Sequence, residues 1–118
     1  MNILFVCTAN TCRSPMAHGI FEKMLEGKEG NFTVNSAGIF AQPNDKINDM
    51  AAKQLRSRHI NFRNRQSLQV TESLIDEADL VFTMTSIQRR LLVENFPIFA
   101  DKIHLLGDYT NRGGDIID

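Results

Sequence analysis

A strand, a short loop and a helix start, all within the first fifteen residues, constrain the fold of this chain most. The apolar run at 2–6 is rich in strand formers and predicts a parallel strand covered on both faces. The loop from Cys7 to Arg13 follows at once. Ser14 then predicts an N-cap and Pro15 a first helical position. Such a sequence is typical of an α/β fold and places Cys7 at the carboxyl end of the first strand.

The rest of the chain repeats the alternation of short apolar runs and amphipathic stripes. The predicted strands cover 2–6, 32–36, 80–84 and 103–106. The stripes between them are typical of helices and include Ala17, Ile20, Phe21, Met24, Leu25, Ile47, Met50, Ala51, Leu55, Ile87, Leu91 and Leu92. Together these elements predict an α/β fold with a doubly wound, four-stranded parallel sheet and flanking helices. Ligands of such sheets bind beyond the carboxyl ends of the strands, where Cys7 lies.

Length and composition exclude several classes of protein. A chain of 118 residues predicts one domain over 1–118. With 23% charged residues and a net charge of -1, it has no general attraction for nucleic acid or an anionic membrane. It lacks an apolar run of about 20 residues and a signal peptide, so we expect a cytoplasmic protein with no membrane association. Two cysteines five positions apart do not predict a metal site.

The spacing of the loop predicts a phosphate site. Five residues between Cys7 and Arg13 can curl the backbone around a tetrahedral anion, and the helix start adds positive potential. The planar guanidinium of Arg13 can bind two phosphate oxygens at once. The same surroundings favour the thiolate of Cys7, which makes it the candidate nucleophile, while the Ser14 hydroxyl can donate to the sulfur.

A phosphatase also needs a proton donor for its leaving group. Asp108, Asp115 and Asp118 all follow the last predicted strand and can overhang the edge that carries Cys7. The residues alone do not choose between them. The three histidines have no spacing that singles one out for catalysis.

The loop resembles that of the low-molecular-weight protein tyrosine phosphatase family, written C-x-x-N-x-C-R-S-P. The residues that match are Cys7, Asn10, Cys12, Arg13, Ser14 and Pro15. The resemblance extends over essentially the whole chain, through Ser36-Ala37-Gly38 and the closing Asp115-Ile116-Ile117-Asp118. It implies a phosphatase without cofactor or metal that acts on phosphorylated proteins. In it Cys7 attacks phosphorus, Arg13 and the loop amides bind the phosphoryl group, Ser14 assists the thiolate, and Asp118 is the general acid and then the general base.

The resemblance also implies the substrate-binding residues, which are Thr8, Ala9, Asn10, Thr11 and Cys12 in the loop, with Phe40 as a wall of the pocket or a core residue. At Thr11, with the flanking Thr8, the chain resembles the bacterial protein-arginine phosphatase branch, in which threonine replaces a bulky aliphatic residue. The hydroxyl of Thr11 can orient the guanidinium group or the attacking water. We therefore expect phosphoarginine ahead of phosphotyrosine and keep both as substrates. Cys12 is either a small buried residue or a redox partner of Cys7.

Two departures from the family pattern qualify these expectations. Ala9 stands where most members carry glycine, and Asp118 is the last residue where the family continues with a proline, an aromatic segment and a final helix. We expect a C-terminally truncated domain without its final helix, and slower turnover than a full-length relative. Two alternatives stay open: a phosphate- or phosphoprotein-binding module with a misplaced acid, and an arsenate reductase, which would need further cysteines. The oligomeric state is left open.

Overall fold

A parallel sheet of four strands forms the centre of the protein. The computed structural model describes residues 1–9, 13–25, 32–42, 46–60, 68–110 and 113–116. The strands are β1 (Asn2–Cys7), β2 (Thr33–Gly38), β3 (Leu80–Thr83) and β4 (Ile103–Leu105). They lie in the order β2-β1-β3-β4, and every neighbouring pair is parallel. The predicted four-stranded parallel sheet is confirmed.

Helices connect the strands within the described part of the chain. They are α1 (Arg13–Leu25), α2 (Asp49–Ser57), α3 (Glu72–Glu77) and α4 (Ser86–Asn95), with short 3-10 helices at Pro97–Lys102 and Leu106–Tyr109. Threonine caps begin two of them, since the side chains of Thr71 and Thr85 accept backbone N–H groups at the starts of α3 and α4. Asn48 caps α2 in the same way. None of the helices so described is long and apolar enough to span a bilayer.

The two faces of the sheet are covered by different helices. Side chains alternate along β1, so that Leu4 and Val6 pack with α3 and α4, in a cluster with Ile75 and Leu92. Ile3, Phe5 and Cys7 point to the other face, against Ala17, Phe21 and Leu25 of α1. The second helix, α2, packs on α1 through Ala51 and Leu55. This arrangement is the doubly wound architecture that the sequence predicted.

The strand register brings the carboxyl ends of β1, β2 and β3 to one edge of the sheet. Cys7 lies opposite Gly38 in β2, and Val6 lies opposite Thr83 in β3. The backbone N–H of Met84, just past β3, donates to Val6 O at 3.2 Å. The points where the chain leaves β1, β2 and β3, which we call the three chain exits, therefore lie together at Cys7, the last residue of β1.

The predicted start of the first helix is wrong by two residues. The α1 helix begins at Arg13, which makes Ser14 its second residue and Pro15 its third. Ser14 is therefore not an N-cap, because its side chain is buried against Cys7 instead. Pro15 is tolerated there because the first N–H groups of a helix have no partner within it.

Three residues of the predicted apolar stripes are not in the core. Met24, Met50 and Ile87 are each more than 60% exposed. Gln88, the neighbour of Ile87, is buried in its place. Spacing alone therefore misplaced the buried side of α4.

Candidate active site

Cys7 ends β1 at the edge of the sheet where the three chain exits meet. Its side chain is buried, and its Sγ lies 2.9 Å from Oγ of Ser14, where either atom can be the donor. Ser14 is fully buried, and its Oγ lies at the limit of hydrogen-bond distance, 3.5 Å, from the carbonyl oxygen of Ala37 in β2. Burying a thiolate requires hydrogen-bond donors around the sulfur. A thiolate has no hydrogen to donate, so opposite a Cys7 thiolate the Ser14 hydroxyl is the donor.

Arg13 opens α1 and extends toward the last described segment of the chain. Its Nη1 donates to the carbonyl oxygen of Ile116 at 2.9 Å. This bond uses one of the five N–H donors of the guanidinium and helps to orient its plane. The position of Arg13 is therefore coupled to that of residues 113–116, which we call the final loop.

The final loop is anchored to the turn between β3 and α4. The N–H of Ile116 donates to Met84 O at 2.7 Å. Asp115 Oδ1 accepts both the backbone N–H and the hydroxyl of Ser86, at 2.8 and 2.7 Å. These bonds hold the final loop beside the carboxyl end of β3, next to the strand that carries Cys7.

Thr8, the residue after Cys7, joins three parts of the site. Its carbonyl oxygen accepts the N–H of Phe40 at 2.8 Å, beside a 3.0 Å bond from Ile39 N to Cys7 O. Its hydroxyl oxygen accepts a hydrogen bond from Nε2 of Gln88 at 3.0 Å. The first residue of the loop is thus bonded both to the exit of β2 and to α4.

In the structure β1 ends on Cys7, α1 opens on Arg13, and Ser14 lies beside the sulfur. These are residues that the sequence analysis selected for a phosphate site. Residues 2–118 match the model of the low molecular weight phosphotyrosine protein phosphatases. The chain belongs to that family.

Relatives within the family include proteins named for two different substrates. The protein-arginine-phosphatase of Bacillus subtilis is 42% identical over 119 residues, which are 100% of this chain and 79% of that protein. The low molecular weight protein-tyrosine-phosphatase PtpB of Staphylococcus aureus is 32% identical over 118 residues, covering 100% and 80%. A solved structure of the YwlE arginine phosphatase, a cysteine-to-serine mutant with a phosphorylated active-site serine, superposes with a TM-score of 0.93. It is 41% identical and covers 100% of this chain and 78% of that one.

In this low molecular weight phosphatase, the structure brings together only part of the predicted site. Cys7 and Ser14 are in contact, Arg13 precedes Ser14 in α1 and donates to Ile116 O, and Thr8 and Ala9 follow Cys7. Asn10, Thr11, Cys12 and Asp118 lie outside the described residues. Phe40 is 66% exposed, which excludes it from the core and leaves it free to face a bound molecule.

The other two aspartates have different surroundings. Asp115 is occupied as the acceptor of two hydrogen bonds from Ser86 and so anchors the final loop. Asp108 is exposed and lines an open groove of about 550 Å³ with Arg89, His104 and Tyr109. Neither arrangement resembles that of a proton donor held over Cys7.

One site residue was missed by the sequence analysis. Gln88 is buried, and its amide contacts Thr8 as well as the backbone of Met84 and Thr85. Glutamine in a helix is usually a surface residue, so its type gave no reason to select it. The spacing Thr85-x-x-Gln88 is a capping box, however, and that pattern could have identified it.

Proposed function

We propose that this chain is a protein phosphatase that hydrolyses phosphoarginine, phosphotyrosine or both through a phosphocysteine intermediate. The observation that carries the proposal is the 2.9 Å contact between Cys7 Sγ and Ser14 Oγ at the end of β1. The names of the relatives supply the two substrate classes. The membership of this chain in the family extends the proposal to residues 10–12 of the loop, which lie outside the described residues.

In the first step the Cys7 thiolate attacks phosphorus. The phosphorus–sulfur bond forms as the bond to the substrate nitrogen or oxygen breaks, and that atom takes a proton from the carboxyl group of Asp118. Arg13 and the backbone N–H groups of the loop bind the phosphoryl oxygens throughout. The role of Asp118 comes from the family resemblance.

In the second step water attacks the phosphocysteine. The Asp118 carboxylate takes a proton from this water, the bond between phosphorus and sulfur breaks, and its electron pair returns to Cys7. The Ser14 hydroxyl donates to the sulfur as its charge develops, which lowers the barrier to its departure. Phosphate leaves and the enzyme is restored.

Substrate preference is assigned to Thr11. A guanidinium group presents N–H donors, whereas the bridging oxygen of phosphotyrosine is only an acceptor. A threonine hydroxyl can accept from the guanidinium, and an isoleucine side chain cannot. Phosphoarginine is therefore the favoured substrate.

The test compares wild type with Thr11→Ile on matched phosphoarginine and phosphotyrosine peptides. We expect the ratio of the two kcat/KM values to shift toward phosphotyrosine by roughly tenfold, the effect of one lost polar contact. Thr33→Ile is the control, because Thr33 is exposed at the start of β2, at the opposite end of the sheet from Cys7. An unchanged ratio in Thr11→Ile would remove the support for phosphoarginine. A wild type that binds inorganic phosphate but hydrolyses neither peptide would favour the binding-module alternative.

A further inference from the structure

We propose that Gln88 is a positioning residue for the reaction and acts through Thr8, an inference that rests on the proposed function. Gln88 lies on α4, outside the loop that holds phosphate, yet its side chain is only 3% exposed. A buried polar side chain is stable where each of its polar groups has a hydrogen-bond partner. The two ends of the Gln88 amide have different hydrogen-bond partners.

The orientation of the Gln88 amide is fixed by its acceptors and donors. Its Oε1 accepts the backbone N–H groups of Met84 and Thr85, each at 3.0 Å. The reverse orientation would bring an NH2 group against two N–H donors, so it is excluded. The Nε2 atom must therefore face Thr8 and donate to its Oγ1 at 3.0 Å.

This donation determines how Thr8 can act. Because Thr8 Oγ1 is the acceptor in the bond with Gln88, the hydrogen of its hydroxyl is directed elsewhere. Thr8 is joined to Cys7 by a peptide bond, and its carbonyl oxygen also holds Phe40 N. Gln88 thus fixes the side chain of the residue from which the loop departs. We infer that it keeps Cys7 Sγ and the first loop amide in register with the phosphoryl group.

A structural role has to be separated from this one, because Gln88 is also half of the capping box of α4. Thr85→Val provides the matched control. It removes the Oγ1 that accepts Gln88 N at 3.2 Å and leaves the contact between Gln88 and Thr8 in place. We expect this variant to lose thermal stability without a change in kcat/KM.

The experiment is a double-mutant cycle between Gln88→Met and Thr8→Val. Both kcat/KM on a phosphoarginine peptide and the dissociation constant of inorganic phosphate are measured. If Gln88 acts through Thr8, Gln88→Met lowers kcat/KM about tenfold in the wild-type background and less than about twofold in the Thr8→Val background. In the same way, Gln88→Met weakens phosphate binding in the wild-type background and changes it little in the Thr8→Val background.

Two results would overturn the proposal. One is an equal loss in both backgrounds, and the other is wild-type kinetics in Gln88→Met. Should Gln88→Met fail to fold, Gln88→Asn replaces it, since the amide is kept but reaches one methylene less far. A wild type without turnover on both phosphoarginine and phosphotyrosine peptides would refute the proposed function alone, because the cycle can still be completed on phosphate binding.

Discussion

At the scale of single residues, the short contact between Cys7 and Ser14 places a hydroxyl against the sulfur. At 2.9 Å this hydroxyl is within hydrogen-bond reach of the sulfur that would leave phosphocysteine. The two residues lie on different elements, at the end of β1 and in the first turn of α1. Their proximity brings the start of α1 back to the end of β1.

Ser14→Ala tests this contact. Losing a hydrogen bond to a charged group should lower kcat by roughly ten- to a hundredfold, with breakdown of phosphocysteine slowed most. Rapid-quench kinetics on a phosphotyrosine peptide should then show a burst followed by slow turnover. Ser14→Thr, which keeps the hydroxyl, is the control for the lost group. Wild-type kcat in Ser14→Ala would exclude a role for this hydroxyl.

Residue type selected candidates for the site because some side chains have few other uses in such a position. A cysteine and an arginine separated by five residues, between a strand and a helix start, are informative for that reason. Gln88 has no such distinctive chemistry, and its importance comes from contacts across 80 positions of sequence, to Thr8. Those contacts follow from tertiary packing, which local patterns do not contain.

At the scale of elements, the final loop is the part of the site that depends most on close backbone packing. Gly107 lies in the last 3-10 helix, and a Cβ added to it would overlap the carbonyl oxygen of Gly114. No residue other than glycine fits there without movement of the final loop. The bonds from that loop to Met84, Ser86 and Arg13 depend on its position.

Gly107→Ala should therefore displace the final loop. We expect kcat to fall by roughly a hundredfold, the usual contribution of a general acid, because Asp118 follows this loop. The dissociation constant of inorganic phosphate should change less than kcat does. Gly113→Ala is the control. A Cβ added at Gly113 meets no atom within 4 Å, although the φ of 66° there costs an alanine about 1 kcal/mol. Equal effects of the two substitutions on kcat would contradict this assignment.

The strands and two of the four described helix starts were predictable because their signals are local. The apolar run at 2–6 agrees with β1, and Thr71 and Thr85, which are good cap residues by type, cap α3 and α4 in the structure. The start of α1 was not predictable, because Ser14 looks like a cap in sequence while its hydroxyl contacts Cys7. Competition between a cap and a tertiary contact cannot be resolved from spacing.

At the scale of the whole molecule, the sheet is packed between two layers of helices, with a separate apolar cluster on each face. Leu92 of α4 is buried in the cluster that covers one face of the sheet, whereas Ile87 of the same helix is 62% exposed. Leu92→Ala should lower the free energy of unfolding by about 2–5 kcal/mol. Ile87→Ala should change it by less than about 0.5 kcal/mol. Urea unfolding followed by circular dichroism measures both, and similar values for the two would contradict the packing described for α4.

The architecture of the whole molecule was easier to predict than its site. Four apolar runs separated by helical stripes leave few arrangements other than a parallel sheet with helices on both faces. The anchoring of the final loop and the bonds at Thr8 depend on which exits meet at the sheet edge, and that follows only from the strand register. The order β2-β1-β3-β4 places Cys7 in a central strand, between two such exits.

The covalent intermediate on Cys7 is tested most directly by trapping it. Cys7→Ser replaces a good leaving group by a poor one, so the phosphoryl group should remain on residue 7 after incubation with a phosphorylated peptide. Intact mass and peptide mapping should show one added phosphoryl group, located on that residue, and steady turnover should be lost. An unmodified Cys7→Ser protein that hydrolyses the peptide at the wild-type rate would contradict the mechanism.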